Sequence, residues 1–320
     1  MRALVTGCAG FIGSHLTESL LADGIEVLGI DCFNDNYGRT EKLRNLELAQ
    51  SWNDFEFVPI DLARGALDDV VEDCDTIFHL AAEPGVRPSW GSRFELYVRN
   101  NVLATQHLLE AMKRSAGKRF VYASSSAVYG DAEQLPTSES VIPAPFSPYG
   151  LTKLSGEHLC GVYHANYGID TIGLRYFSVF GPRQRPDMAF HILCASVLAG
   201  QTFEIFGDGG QTRDFTYVTD VVSATKAAGS TPGLEGQVFN IGGGSRISLN
   251  DAVALFGELA ERKVRVVRQP SQRGDVRDTG ADIEAAKNAL AYRPHVSFAD
   301  GIALEWEWFR QKEPHQPVSG

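Results

Sequence analysis

The chain has 320 residues, 43% of them hydrophobic and 22% charged, with 40 acids against 29 bases and a formal net charge of −11. That length suffices for a large core and one or two domains, and the acidic balance argues against a broad nucleic-acid-binding face. No segment approaches the ~20 apolar residues of a membrane span, and the cysteines at 8, 32, 74, 160 and 194 form no Cys-x-x-Cys pair, so free thiols in a reducing cytoplasm are expected and a metal site is not.

Leu4-Val5 is a short apolar run before a glycine turn, and Phe11 to Leu21 follows with helical periodicity. Val27 to Ile30, Phe55 to Ile60, Thr76 to Leu80 and Phe120 to Ala123 are further apolar runs of strand length, separated by helix-length stretches. This rhythm predicts an α/β fold, a Rossmann-like doubly wound parallel sheet with helical crossovers. Leu96 to Met112 reads as a long helix with Val98, Val102, Leu108, Leu109 and Met112 on its apolar faces, and Tyr149 opens another after Pro143, Pro145 and Pro148. Beyond Tyr176, Gly-Pro, Arg-Pro and Gly-Asp-Gly-Gly turns divide shorter elements, which points to a second, smaller α/β domain. The expected boundaries are 1–175, with a return segment at about 212–242, for the first domain; 176–211 and 243–310 for the second; and 311–320 for a frayed tail.

The turn Gly7-Cys8-Ala9-Gly10-Phe11-Ile12-Gly13 sits between the first strand and first helix, where a dinucleotide pyrophosphate binds. Its spacing, G-x-x-G-x-x-G, meets the dinucleotide fingerprint approximately. Asp31, at the end of the second strand, is placed to accept from ribose hydroxyls and to repel a 2′-phosphate, which favours NAD over NADP. Asp61-Leu62 either caps the adenine or is an ordinary helix N-cap. Leu80-Ala81-Ala82 ends the fourth strand with residues small enough for a cofactor, and His79 is read as a satisfied core histidine. Tyr149 and Lys153 are four residues apart, hence on one face if helical. The Lys153 charge would then favour the Tyr149 phenolate and lower its pKa.

In this order the glycine turn, Asp31, His79-Leu-Ala-Ala82, Ser124-Ser125-Ser126 and Tyr149-x-x-x-Lys153 resemble the extended short-chain dehydrogenase/reductase family, from residue 2 to about residue 310. The resemblance implies an NAD-binding Rossmann domain with a smaller nucleotide-sugar-binding domain. It makes Tyr149 the acid/base and Lys153 the residue that binds the nicotinamide ribose and tunes the tyrosine. Ser125, counted back from Val128-Tyr129-Gly130, aligns with the hydroxyl that bonds the reacting sugar hydroxyl. Asn101 matches a structural asparagine near the cofactor, with a polar contact inside the helix as the rival reading, and Tyr176 matches the position beside the nicotinamide.

Sugar-nucleotide 4,6-dehydratases place Asp-Glu after the serine, because water elimination needs an extra acid and base, and UDP-glucuronate decarboxylases usually keep the glutamate. Here Ser126-Ala127 stands there, so a 4-epimerase is expected by elimination. Ser178 with the run Arg185-Pro-Asp-Met-Ala189, together with Asn34-Asp35-Asn36-Tyr37 and Gly85-Val86-Arg87, resembles UDP-glucuronate 4-epimerases. Ser178 and Arg185 would hold the sugar carboxylate, the alternative being that Arg183 and Arg185 decorate a solvated loop. Arg213 is expected on the diphosphate with Arg277 and Arg273, and Ser126 and Arg87 complete the substrate set. The reaction implied interconverts UDP-glucuronate and UDP-galacturonate through a 4-keto sugar, in a homodimer paired through the Leu96–Met112 and Tyr149 helices. The rivals are a neutral-sugar UDP-hexose 4-epimerase, a decarboxylase and a non-catalytic NAD-binding sensor.

Overall fold

The computed structural model describes residues 1–34, 38–114 and 117–312. Strands β1 (Arg2–Thr6), β2 (Glu26–Ile30), β3 (Phe55–Val58), β4 (Thr76–His79), β5 (Arg119–Ser125) and β6 (Asp170–Tyr176) lie in the order β6-β5-β4-β1-β2-β3, and Val238–Ile241 joins beside β6. Every neighbouring pair is parallel. A parallel sheet is covered on both faces, which is why its central strand reads as a continuous apolar run: Ala3, Leu4 and Val5 are wholly buried. The doubly wound α/β sheet expected from the sequence is the fold observed. Strand order reverses between β1 and β4, and ligands of such sheets bind at that switch point, beyond the carboxyl ends of the strands.

Two helices carry most of the site. Pro148–Tyr167 starts with Ser147 accepting from Gly150 N at 3.1 Å and Pro148 in its first turn, and ends on Gly168 with φ +68°; both ends are strong local signals. The predicted Leu96–Met112 helix is observed as Phe94–Tyr97, a π-helical stretch Val98–Leu103, and Ala104–Met112. A π segment bonds each N–H one residue further back than an α-helix does and is short, so the helical spacing on either side of it does not announce it.

Beyond β6, three two-stranded pairs form: Val179–Phe180 with Thr216–Tyr217, Thr212–Asp214 with Arg246–Ser248, and Thr202–Phe206 with Arg265–Gln269. They pack with the helices Ala189–Leu198, Leu249–Leu259 and Phe298–Lys312. Phe180, Phe190, Phe215 and Phe298 gather there with ring centroids 4.8 to 6.1 Å apart. Because Thr212–Asp214 pairs with Arg246–Ser248, the chain rejoins the first layer later than expected. It does so through Val218–Ser230, which packs on Phe11–Ala22 and sends Lys226 Nζ to Ser19 Oγ at 2.8 Å. Gln311 and Lys312 belong to the last helix rather than to a frayed tail, while 313–320 and Asp35, Asn36 and Tyr37 lie outside the described residues.

Candidate active site

The glycine turn is dictated by close approach. Gly7 has φ +71°, and a Cβ there would stand 2.9 Å from Ala81 Cα; at Gly13 a Cβ would come within 2.1 Å of Gly7 O. No side chain caps the helix Phe11–Ala22, so its first-turn N–H groups are available to an anion. Gly7, Gly10, Phe11, Ile12 and Gly13 line a crevice with Asp31, Asp61, Leu62, Leu80, Ala81, Ala82, Tyr149, Lys153 and Tyr176. An uncapped helix start, a carboxylate at the end of β2 and a small-residue wall together fit NAD.

Lys42 and Asn100 also line this crevice and were not foreseen. Lys42 Nζ donates to Asp31 Oδ1 at 3.0 Å and to Asn34 Oδ1 at 2.7 Å, and the Lys42 and Asp31 side chains are each only 6% exposed. Breaking a buried pair from one side strands the other charge. Lys42→Met should therefore destabilise the protein by about 3 kcal/mol in urea denaturation and lower the NAD retained per protomer; wild-type values for both would remove Lys42 from this role.

Asp61 caps no helix: its Oδ1 accepts from Ala63 N at 3.0 Å within a turn, the next helix beginning at Asp68, and the residue lines the crevice. His79 is the core histidine expected, bonded to Thr6 Oγ1 at 2.8 Å and Thr105 Oγ1 at 3.0 Å. Thr105 Oγ1 already donates to Asn101 O, so His79 Nε2–H donates to it, and burial holds the ring neutral with its pKa down to about 3. Asn101 is a correction. It does not line the crevice; it accepts from Glu83 N at 2.6 Å and donates to Glu83 O and Thr152 Oγ1. Its amide ties the segment after β4 to the helix Pro148–Tyr167, so its bonds are structural and run between elements rather than to the cofactor crevice or within its own helix.

Tyr149 and Lys153 share the face of Pro148–Tyr167 that meets the end of β5. Lys153 Nζ donates to Ala123 O at 2.9 Å, and burial pushes its pKa down to about 8, against the pull of Glu157. Burial pushes the Tyr149 phenol up, so the expected lowering by Lys153 is not what the structure holds. Two other groups oppose the rise: a side-chain hydrogen bond with Ser125 and the charge of Arg185. Burial outweighs these groups, and the Lys153 ammonium is turned to the β5 backbone. Beneath the pair, Arg175 Nε and Nη2 donate to Glu157 at 3.0 and 2.7 Å, Ser124 donates to the same carboxylate, and Arg175 Nη1 reaches Tyr129 Oη at 2.8 Å. The register Ser124 to Arg175 and Ser125 to Tyr176 brings these groups together.

A second chamber adjoins the first, sharing Phe11, Ile12, Pro84, Ser124, Tyr149, Tyr176 and Arg185. Ser125, Ser126, Ser178 and Arg213 line it. Arg183 is not a solvated decoration, since it pairs with Glu18 of the first helix at 2.8 Å. Arg87, Arg273 and Arg277 stand off the lining and are corrections to the expected substrate set. Arg87 grips Asp275 through Nε at 3.3 Å and Nη2 at 2.7 Å and lies over the Phe206 ring, Arg277 is drawn outward to Asp208 at 2.7 Å, and Arg273 is exposed. Arg213 donates to the carbonyls of Thr212, Val276 and Arg277, which roots it in the chamber wall.

The profile of the NAD dependent epimerase/dehydratase family matches residues 3–242. An uncharacterized UDP-glucose epimerase, YtcB of Bacillus subtilis (strain 168), is 45% identical over 95% of this chain and 96% of its own. The UDP-glucuronate 4-epimerase of Thermodesulfobacterium geofontis (strain OPF15) is 36% identical over 96% of each. In structure, UDP-glucuronic acid 4-epimerase from Bacillus cereus, solved with UDP-glucuronic acid and NAD, superposes with a TM-score of 0.95 at 44% identity, covering 98% of this chain and 100% of that one. With the glycine cradle, the Tyr149–Lys153 face and these likenesses, the chain belongs to the NAD-dependent epimerase/dehydratase family.

Proposed function

We propose that this protein is a UDP-glucuronate 4-epimerase, interconverting UDP-glucuronate and UDP-galacturonate through a 4-keto sugar. One observation carries the choice of substrate: Arg185 lies where the two chambers meet, near enough for its charge to act on the Tyr149 phenol. A cation is thus set at the sugar end of the cleft, and Ser178 lines the same chamber. Two relatives carry this activity in their names. Water elimination is disfavoured, because among the described residues lining the second chamber the one carboxylate is Asp275, and Arg87 holds it.

Held in the first chamber by the glycine turn, Asp31 and Lys153, NAD would supply a reversible hydride acceptor for C4 of the sugar. Tyr149 Oη would take the O4 proton once a cationic nicotinamide, with Arg185, favours the phenolate over the neutral phenol that burial holds in the free protein. It would then give the proton back, with Ser125 orienting the hydroxyl. Lys153 supplies a buried cation beside the reacting centre. Arg213 serves the diphosphate about which the keto sugar turns. Arg185 and Ser178 hold the carboxylate, whose loss as CO₂ would otherwise be easy from a β-keto acid. Purified protein incubated with UDP-glucuronate should form UDP-galacturonate, resolved by NMR, with no net NADH. Turnover of UDP-glucose alone would favour the neutral-hexose reading, and accumulation of a UDP-pentose the decarboxylase.

The proposed setting is cytoplasmic, with residues 1–175 holding NAD and most of 176–310 holding the nucleotide sugar. A homodimer is proposed across the helices Phe94–Met112 and Pro148–Tyr167. Leu103, Leu151 and Val162 there are 45, 50 and 53% exposed, a cost that a second copy would remove. Light scattering should give twice the mass of 34.9 kDa, and Leu151→Glu should halve it; a wild-type monomer would refute the proposal.

A further inference from the structure

The loop that carries Arg185 also carries a carboxylate to which the reaction so far gives no part. Asp187 accepts from Arg185 Nε and from Nη2, each at 2.9 Å. A guanidinium presents five N–H donors in one plane, and a carboxylate taking two parallel bonds from one edge fixes that plane. Arg185 lines both chambers, whereas Asp187 lines neither. The Arg185 side chain is 20% exposed and that of Asp187 53%. The pair is therefore oriented, with the cation toward the cleft and the anion behind it on the solvent side. An ion pair this open contributes little to stability, so its value lies in direction.

Direction matters in this reaction. In the 4-keto uronate the carboxylate is β to the ketone. If the C5–C6 bond aligns with the carbonyl π system, that bond breaks and CO₂ leaves. The electron pair then forms the C4–C5 enolate, and a proton taken at C5 gives a 4-keto-pentose. A guanidinium that cannot swivel fixes where C6 is held relative to the ring, and so keeps the C5–C6 bond from that alignment.

We propose that Asp187 is a positioning residue for the reaction, locking the Arg185 guanidinium so that a sugar carboxylate is accepted in one orientation, and is thereby a determinant of uronate specificity and of resistance to decarboxylation. This rests on the uronate reading above. The test compares wild type, Asp187→Ala and Asp187→Glu, each as holoenzyme, by NMR of UDP-glucuronate reactions over a concentration series. Misplacing a binding group by about 1 Å costs up to ~10²-fold. The expected result for Asp187→Ala is a KM raised about tenfold, a smaller change in kcat and a UDP-pentose fraction well above wild type. Melting temperature and bound NAD should stay at wild-type values, and Asp187→Glu should recover part of the KM. A wild type active on UDP-glucuronate with Asp187→Ala unchanged in KM and product partition would overturn the proposal. So would a KM that falls, since Asp187 would then be a competitor of the substrate. A wild type inert on UDP-glucuronate would instead sink the uronate reading, and this proposal with it.

Discussion

Replacing Tyr149 with phenylalanine is expected to lower kcat by about 10²–10⁴-fold, the range for loss of a positioned acid/base, while KM for UDP-glucuronate stays within about threefold. The split follows from what the substitution keeps. The Tyr149 ring packs edge-on against Tyr97, with centroids 6.3 Å apart, and phenylalanine preserves that contact. The carboxylate and diphosphate sites lie on Ser178, Arg185 and Arg213, which the change does not touch. What disappears is the one oxygen that Ser125 and the Arg185 charge act upon. Ser125→Ala should cost less, about tenfold, because it removes an orienting bond and leaves the phenol in place. Steady-state rates by NMR or by coupled assay decide both, and a phenylalanine variant within tenfold of wild type would remove Tyr149 from the acid/base role.

The parts of the site legible in the sequence are those whose demands are local. Gly7 and Gly13 must be glycine because backbone stands within 3 Å of where a Cβ would be, and that need is met by residue type alone. Tyr149 and Lys153 are readable because four residues make a helical turn. Asp31 is readable because strand ends are. The misplaced residues are those whose direction depends on distant partners. Arg87 turns to Asp275, 188 residues away, and Arg277 to Asp208, 69 away, so a basic residue near a motif is not thereby in the cleft. Lys42 is hidden for the converse reason: it stands in the polar run Arg39–Leu46, and nothing local says that its ammonium is buried against Asp31. The Glu157–Arg175–Tyr129 network joins three elements through side chains alone, and no spacing reveals it. The tyrosine tuning failed differently. Helical spacing placed Lys153 beside Tyr149 correctly, but the depth of burial, which a sequence shows poorly, decides the pKa of both.

That depth makes the alkaline side of the pH profile a direct report on Lys153. Burial lowers its pKa from 10.5 to about 8, so kcat/KM should fall as pH rises through about 8, where the ammonium is lost. Stability should move the other way. Between about 8 and 10.5 the unfolded chain binds more protons at this site than the folded one, so this group's contribution to folding rises with pH across that window. Below about 8 the buried cation instead costs the fold about 3 kcal/mol. Activity and stability therefore part company above neutrality, and one substitution separates them. Lys153→Met keeps the length of the side chain and removes its charge. It should lower kcat/KM by about 10²-fold, abolish the alkaline limb near 8, and leave urea stability at pH 7 no lower than wild type, because relief of the buried charge offsets the lost bond to Ala123 O. An alkaline limb that persists in Lys153→Met would assign it to another group, and a flat wild-type profile from pH 7 to 9 would mean that the ammonium takes no part in turnover.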